Sequence, residues 1–313
     1  MGSFIARRLI SGAVLLVVIT TLAFLLLYAG GGDIARKIMG DQATQEAVAQ
    51  KARELGLNRP VLSQYSDWLR HAVQGDLGVS WFNGQQVTRA VTTRLSVTLS
   101  LVIGAITVAA LLAILLGVTA ALRRGWADRV IQVGAVIAQA IPNFLVALFL
   151  VLVFAINLKL FRATGYVQPA TNIGRWINSI TLPVAALCIG STASVTQQIR
   201  GSVIDALRQD YVRTLRARGL SFRRTIFKHV LRNAGGPALA VLAVQFVGML
   251  GGAVIIEQVF AIPGLGQISV LATQQGDIPL VMGLVLVMAV IVVIVNLAID
   301  LIQGWLNPKV RLR

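Results

Sequence analysis

One cysteine, Cys188, and two histidines, His71 and His229, are all that 313 residues offer to thiol or metal chemistry. Cys188 lies inside an apolar run, so disulfide frameworks, zinc sites and thiol catalysis have nothing to build on. No His-Glu-x-x-His pattern occurs, and metal-assisted hydrolysis therefore lacks a site. Nowhere is a Gly followed by a Lys, which excludes the phosphate-cradling P-loop and with it ATP binding by this chain. Charge is scarce as well, with 13% of residues charged and only 12 of them acidic. None of the long apolar stretches carries a His or Lys that could serve a serine as base. The sequence reads as a protein without catalytic residues, metal or cofactor of its own.

Apolar surface is what abounds. At 56% apolar letters the chain is too greasy for a soluble domain and belongs in a bilayer. The net charge of +16 does not argue for nucleic acid, because the basic residues gather at the ends of apolar stretches and form no aromatic-interleaved patch. Six stretches are long enough to span: residues 1–28, 95–122, 130–158, 177–199, 238–259 and 278 to about 305. The first opens with Arg7 and Arg8 and is followed by no small-residue cleavage site, so it reads as a retained anchor and not a signal peptide. Residues 30–94 differ in kind. They are polar and nearly neutral, eight basic against six acidic, with helical character over 46–57 and a second amphipathic piece from Pro60 through Trp68 and Leu69. No internal repeat is visible.

Orientation follows from the basic residues. With both termini cytoplasmic, the inner segments carry Arg7 and Arg8, then Arg123, Arg124 and Arg129, then nine cations over 200–232, then Lys309, Arg311 and Arg313. The outer cations lie mainly in the long 30–94 loop, which weighs less in the positive-inside rule. The stretch 200–237 is thus a cytoplasmic, helix-forming basic island. Asp210 is placed to cap a short helix over 211–218, Gly219 to end it in a left-handed conformation, and Ser221 to cap the next. Tyr211 or Val212 with Leu215 forms an apolar edge beside Arg213, Arg216 and Arg218, a knob suited to a soluble partner.

Within the spans, Gln139, Asn143, Gln245 and Asn296 should face protein or water, either along a translocation path or in interhelical hydrogen bonds. Pro142 removes a backbone donor and is expected to kink its span. Asp128 and Asp300 stand near helix ends, where ion pairing with Arg129 or the carboxyl-terminal cations is expected. The outer connection 257–277 contains Pro263, Gly264 and Gly266, which permit a compact projecting loop.

The basic island resembles the cytoplasmic coupling region of bacterial ABC importer permeases, in particular the dipeptide and oligopeptide branch. The resemblance rests on DYVRTLRARGLS at 210–221, HVLRNA at 229–234 and Pro237. Gly219 matches the glycine of the wider family's EAA loop, while Arg213, Thr214 and Leu215 stand where that family has Glu, Ala and Ala. Further matches cover nearly the whole chain: LGLNRP at 55–60, Gln64, Tyr65, Trp68, GDLG at 75–78, Asp128, IPNF at 141–144, Gly165 with Tyr166, Leu182 with Pro183, FAIPGLG at 260–266 and WLNPKVRLR at 305–313.

The resemblance implies an all-α integral membrane protein of six transmembrane helices with the type I ABC importer permease fold. Its parts would be a first helix over 1–28, an extracytoplasmic insertion over 29–94, and a five-helix permease core over 95–313 that includes the coupling loop 200–236. It implies a permease subunit of an ATP-driven importer of di- and oligopeptides in the bacterial inner membrane. The implied partners are a second, similar permease subunit, two ATPase subunits that bind the ATP and Mg, and an extracytoplasmic substrate-binding protein. Asp210, Tyr211, Val212, Arg213, Leu215, Arg216, Arg218, Gly219 and Leu220 would make the ATPase contact, with Leu215 as anchor. Pro263, Gly264, Leu265, Gly266, Gln267 and Gln274 would reach the binding protein. Nickel, glutathione, haem or another small cargo is the alternative within the class. An ATP-independent secondary transporter or channel is the alternative outside it, and would call for internal repeats or buried charges that the sequence does not display.

Overall fold

The computed structural model describes residues 2–30 and 34–306, so the expectations for Asp33, Lys309, Arg311 and Arg313 lie outside the described residues. Pairing between extended segments among the described residues is confined to one isolated bridge, Val79 to Gln86. The rest of the regular structure is helical: α1 (Gly2–Gly30), α2 (Ile34–Met39), α3 (Gln45–Glu54), α4 (Val61–Val73), α5 (Val87–Leu122), α6 (Trp126–Ala140) and α7 (Asn143–Leu150). A π-helical run, Val151–Asn157, prolongs α7. There follow α8 (Ile173–Leu207), α9 (Asp210–Ala217), α10 (Phe222–Thr225), a second π-helical run Ile226–Val230, α11 (Leu231–Val259), α12 (Leu265–Gln275) and α13 (Ile278–Leu306).

Among the described residues, five helical stretches are long and apolar enough to cross a membrane, and a sixth span results if α6 and the prolonged α7 are counted as one. That pair is bent by 97°. The span expected over 130–158 is therefore broken at Pro142, where a kink is expected, and the cause is local. Pro142 precedes the first turn of α7 with φ −58°, where its missing N–H costs nothing, and the same ring bars α6 from continuing through it. Three other spans run longer than expected, among them the one expected over 238–259, which covers Phe222–Val259. α5 starts at Val87 and not at 95, and α8 covers Ile173–Leu207 and not 177–199, because a helix satisfies its own backbone whether or not lipid surrounds it.

Contacts sort the chain into two compact units, one of residues 1–97 with 263–294 and the other of residues 98–262 with 295–313. In the first, Phe24, Ile34, Ile278 and Met282 form a buried cluster on which Tyr65, Trp68 and Trp81 pack. A second cluster joins Leu77, Val87 and Val91 to Leu265, Ile268 and Leu280. α3 and α4 form where expected. Thr44 caps α3 by accepting from the Ala47 amide at 3.3 Å, and Pro60 stands immediately before α4.

In the second unit α8 is the central element and packs against α6, α7 and α11. Its approach to α5 is close at Gly117, where an added Cβ would stand 2.9 Å from the Thr196 carbonyl oxygen. At one end of the unit Val195, Ile199 and Val203 of α8 pack with Val212, Val230 and Ala234. That cluster fixes the basic island to the membrane helices.

Candidate coupling surface and polar track

The amphipathic pattern of the island becomes a division of labour within α9. Val212 is 4% exposed and belongs to the cluster just described, with Tyr211 packed against its edge. Arg213, Arg216 and Arg218 are exposed, and Leu215 and Leu220 are half-buried. The helix stops as its sequence requires. The Leu220 amide donates to the Leu215 carbonyl at 3.2 Å and the Gly219 amide to that of Arg216 at 3.0 Å, the paired bonds of a Schellman motif. Gly219 has φ +81°, a conformation that penalises any Cβ. Arg216 lies 5.9 Å from the centre of the Phe222 ring, which ties the end of α9 to the start of α10.

Two details depart from the sequence reading. Gln209 and not Asp210 occupies the cap position, without a side-chain cap bond, and Asp210 is the first residue of α9. There its charge complements the positive helix end. Its contact with Arg213 at 3.8 Å joins two highly exposed groups and adds little. Ser221 does precede α10, but its hydroxyl makes no cap bond. Phe222–Val259 instead forms one continuous stretch long enough to span, so the island leads into the membrane without a loop.

Of the four polar span residues, two lie against α8 and α11. Ser191 of α8 donates to Gln245 Oε1 of α11 at 2.9 Å. Asn143, at the start of α7, lies against two glycines of the same helices. A Cβ at Gly190 would stand 3.6 Å from its Oδ1, and one at Gly252 3.7 Å from its Nδ2. Gln139 is exposed on the last turn of α6 and Asn296 is half-buried on α13.

The segment 257–277 is not a projecting loop. α11 continues through Glu257 to Val259, and Leu265–Gln275 is helical. Leu265, Gly266 and Gly264 are buried, while Pro263, Gln267 and Gln274 are exposed. The turn-forming Pro263–Gly264 pair stands in the short connection before α12, whose apolar face repeats at Leu265, Ile268 and Ala272.

For Asp128 sequence reasoning expected the wrong partner, and it missed two buried carboxylates, Glu257 and Asp277. Asp128 pairs with Arg200 of α8, not with Arg129, through two bonds of 2.6 Å. Glu257, fully buried, accepts from the Thr98 hydroxyl at 2.5 Å. Asp277, also fully buried, accepts from the Ser80 hydroxyl and from the Trp81 amide at 3.3 Å. Buried carboxylates are thus present, each hydrogen-bonded as burial demands. The partners are far away in sequence, so the only available signal was an acidic residue beside an apolar run.

A bundle of long apolar helices with one broken span and a short basic helix docked on it is the architecture of an ABC importer permease. A chain of the MetNI methionine ABC transporter, solved in inward-facing conformations, superposes with a TM-score of 0.53 and 19% identity, covering 71% of this chain and 96% of that one. The chain belongs to the family of binding-protein-dependent transport system inner membrane components, whose profile matches residues 113–312, and residues 1–102 match the profile of the amino-terminal part of such membrane components. Relatives align end to end. The oligopeptide transport system permease protein AppB of Bacillus subtilis is 35% identical over 99% of both chains. The dipeptide permease DppB of the same organism is 35% identical over 100% of this chain and 99% of its own. The glutathione transport system permease protein GsiC of Shigella flexneri is 31% identical over 99% of both. The protein is therefore a multi-pass membrane permease of the ABC transporter class.

Proposed function

We propose that this permease imports di- and oligopeptides across the bacterial inner membrane, as one half of a path completed by a second permease subunit. The observation that carries the cargo assignment is the end-to-end similarity to relatives named for oligopeptides and dipeptides. The similarity to a glutathione permease supports a second reading within the same chemistry, since glutathione is itself a short peptide.

In this reading ATP and Mg bind to two separate ATPase subunits, a binding protein delivers cargo from outside, and both termini face the cytoplasm. α9 is the coupling helix. Its inward side is held by Val212, and its exposed arginines with the half-buried Leu215 are left for the ATPase. A motor can bias the permease only through contacts that differ between its open and closed states, and a rigid, exposed helix anchored in the bundle is suited to make them. Asn143 and Gln245, each placed against α8, contribute polar groups to the path. ATP-dependent uptake by the complete complex in proteoliposomes tests the cargo, with dipeptides, longer peptides, glutathione, nickel and haem as competitors. Peptides should compete and nickel and haem should not. Uptake of nickel or haem unaffected by peptides would overturn the assignment.

A further inference from the structure

Within the polar segment between α1 and α5, α4 packs against the apolar span α1. Tyr65, in α4, places its hydroxyl 2.9 Å from the hydroxyls of both Thr20 and Thr21, and its ring packs 5.3 Å from that of Phe24. These partners lie within the apolar span Ala6–Tyr28. At 1.5 Å per residue, Thr20 stands about 12 Å below Tyr28, a large part of one leaflet's hydrocarbon depth of about 15 Å. The neighbouring Gln64 donates to the Tyr28 hydroxyl at 3.3 Å, two turns further along α1. α4 therefore lies beside the outer part of α1 and not above it.

An uncovered apolar face held beside α1, between the levels of Thr20 and Tyr28, would meet lipid. Leu62 is 78% exposed and Val73 80% exposed, and with Leu69 between them they follow an i, i+7, i+11 spacing that marks one side of a helix. His71 is on the opposite side and exposed, and Arg59 pairs with Asp67 at 2.6 Å. We infer that α4 is an interfacial helix whose Leu62–Val73 face is seated among the lipid acyl chains of the leaflet in which α1 ends. Tyr65 and Trp68, stacked at 6.1 Å, then stand at the depth where amphipathic aromatic rings are favoured.

Spin labels on single cysteines test this. They are introduced by Leu62→Cys, Val73→Cys and His71→Cys in a Cys188→Ala background, in the assembled transporter in phosphatidylethanolamine–phosphatidylglycerol vesicles. Labels at positions 62 and 73 should relax several-fold more with dissolved oxygen than with a water-soluble nickel chelate, and the label at 71 should show the reverse. Nickel-chelate access at 62 and 73 equal to that at 71 overturns the inference in favour of water. Protection of 62 and 73 from both reagents overturns it in favour of a protein cover, and disagreement between the two positions overturns it as well.

Discussion

Arg200 on α8 holds Asp128 on α6 by both carboxylate oxygens, Nε to Oδ1 and a terminal nitrogen to Oδ2, each at 2.6 Å. The two side chains are 29% and 14% exposed, dry enough for a bidentate pair to exceed a surface ion pair. It ties the first turn of the broken span to the central helix.

Removing one partner leaves the other's charge poorly solvated. Asp128→Ala is expected to cost about 2 kcal/mol, below the 3–5 typical of fully buried pairs because this one is partly wet. Thermal melting of purified protein in detergent measures it. The exchange of both residues, Asp128→Arg with Arg200→Asp, should recover part of the loss. Equal melting temperatures for wild type and Asp128→Ala would deny the pair a structural role.

Gly219 separates conformational strain from steric strain. Nothing lies within 4 Å of a Cβ added there, yet its φ is +81°. Gly219→Val should thus impose about 1–2 kcal/mol of backbone strain on the end of α9, while Gly219→Asn, which tolerates the left-handed region, should be mild. In reconstituted complexes the Val variant is expected to lose ATP-driven uptake at normal expression and the Asn variant to keep most of it. Full uptake by the Val variant would falsify the coupling role proposed for this helix.

Ala261 closes α11 with the bonds that Gly219 makes for α9. Its amide donates to Gln258 at 3.2 Å and that of Ile262 to Glu257 at 2.8 Å. But its φ is +48° with a Cβ in place. Ala261→Gly should relieve up to about 1 kcal/mol of strain, set against the greater freedom glycine gains in the unfolded chain. A small rise in melting temperature is expected. A fall would mean that the strain relieved at Ala261 is smaller than the freedom glycine adds to the unfolded chain.

Much of this was legible in the residues. Long apolar runs announced the spans, and the DYVRTLRARG pattern fixed α9 and its glycine stop, because helix periodicity and C-terminal glycine act over a few residues. Illegible were features that depend on distance in space. Arg129 is adjacent to Asp128, but adjacent residues on a helix do not face each other, and the true partner is 72 positions away. In the 257–277 connection Pro263 and Gly264 make only a short turn, and the apolar spacing of Leu265, Ile268 and Ala272 directly after it is the signal for α12. Hydropathy located the span around Pro142 but could not report its 97° bend.

The π-helical run Ile226–Val230 lies between the basic knob and α11. Such a run carries one residue more than an α-helical path of the same length, and each residue turns a helix by about 100°. The compass direction that α9 takes around the axis of α11 is therefore set by a single surplus residue. Deleting one position there would leave every side chain of the knob intact and point it at a different neighbour.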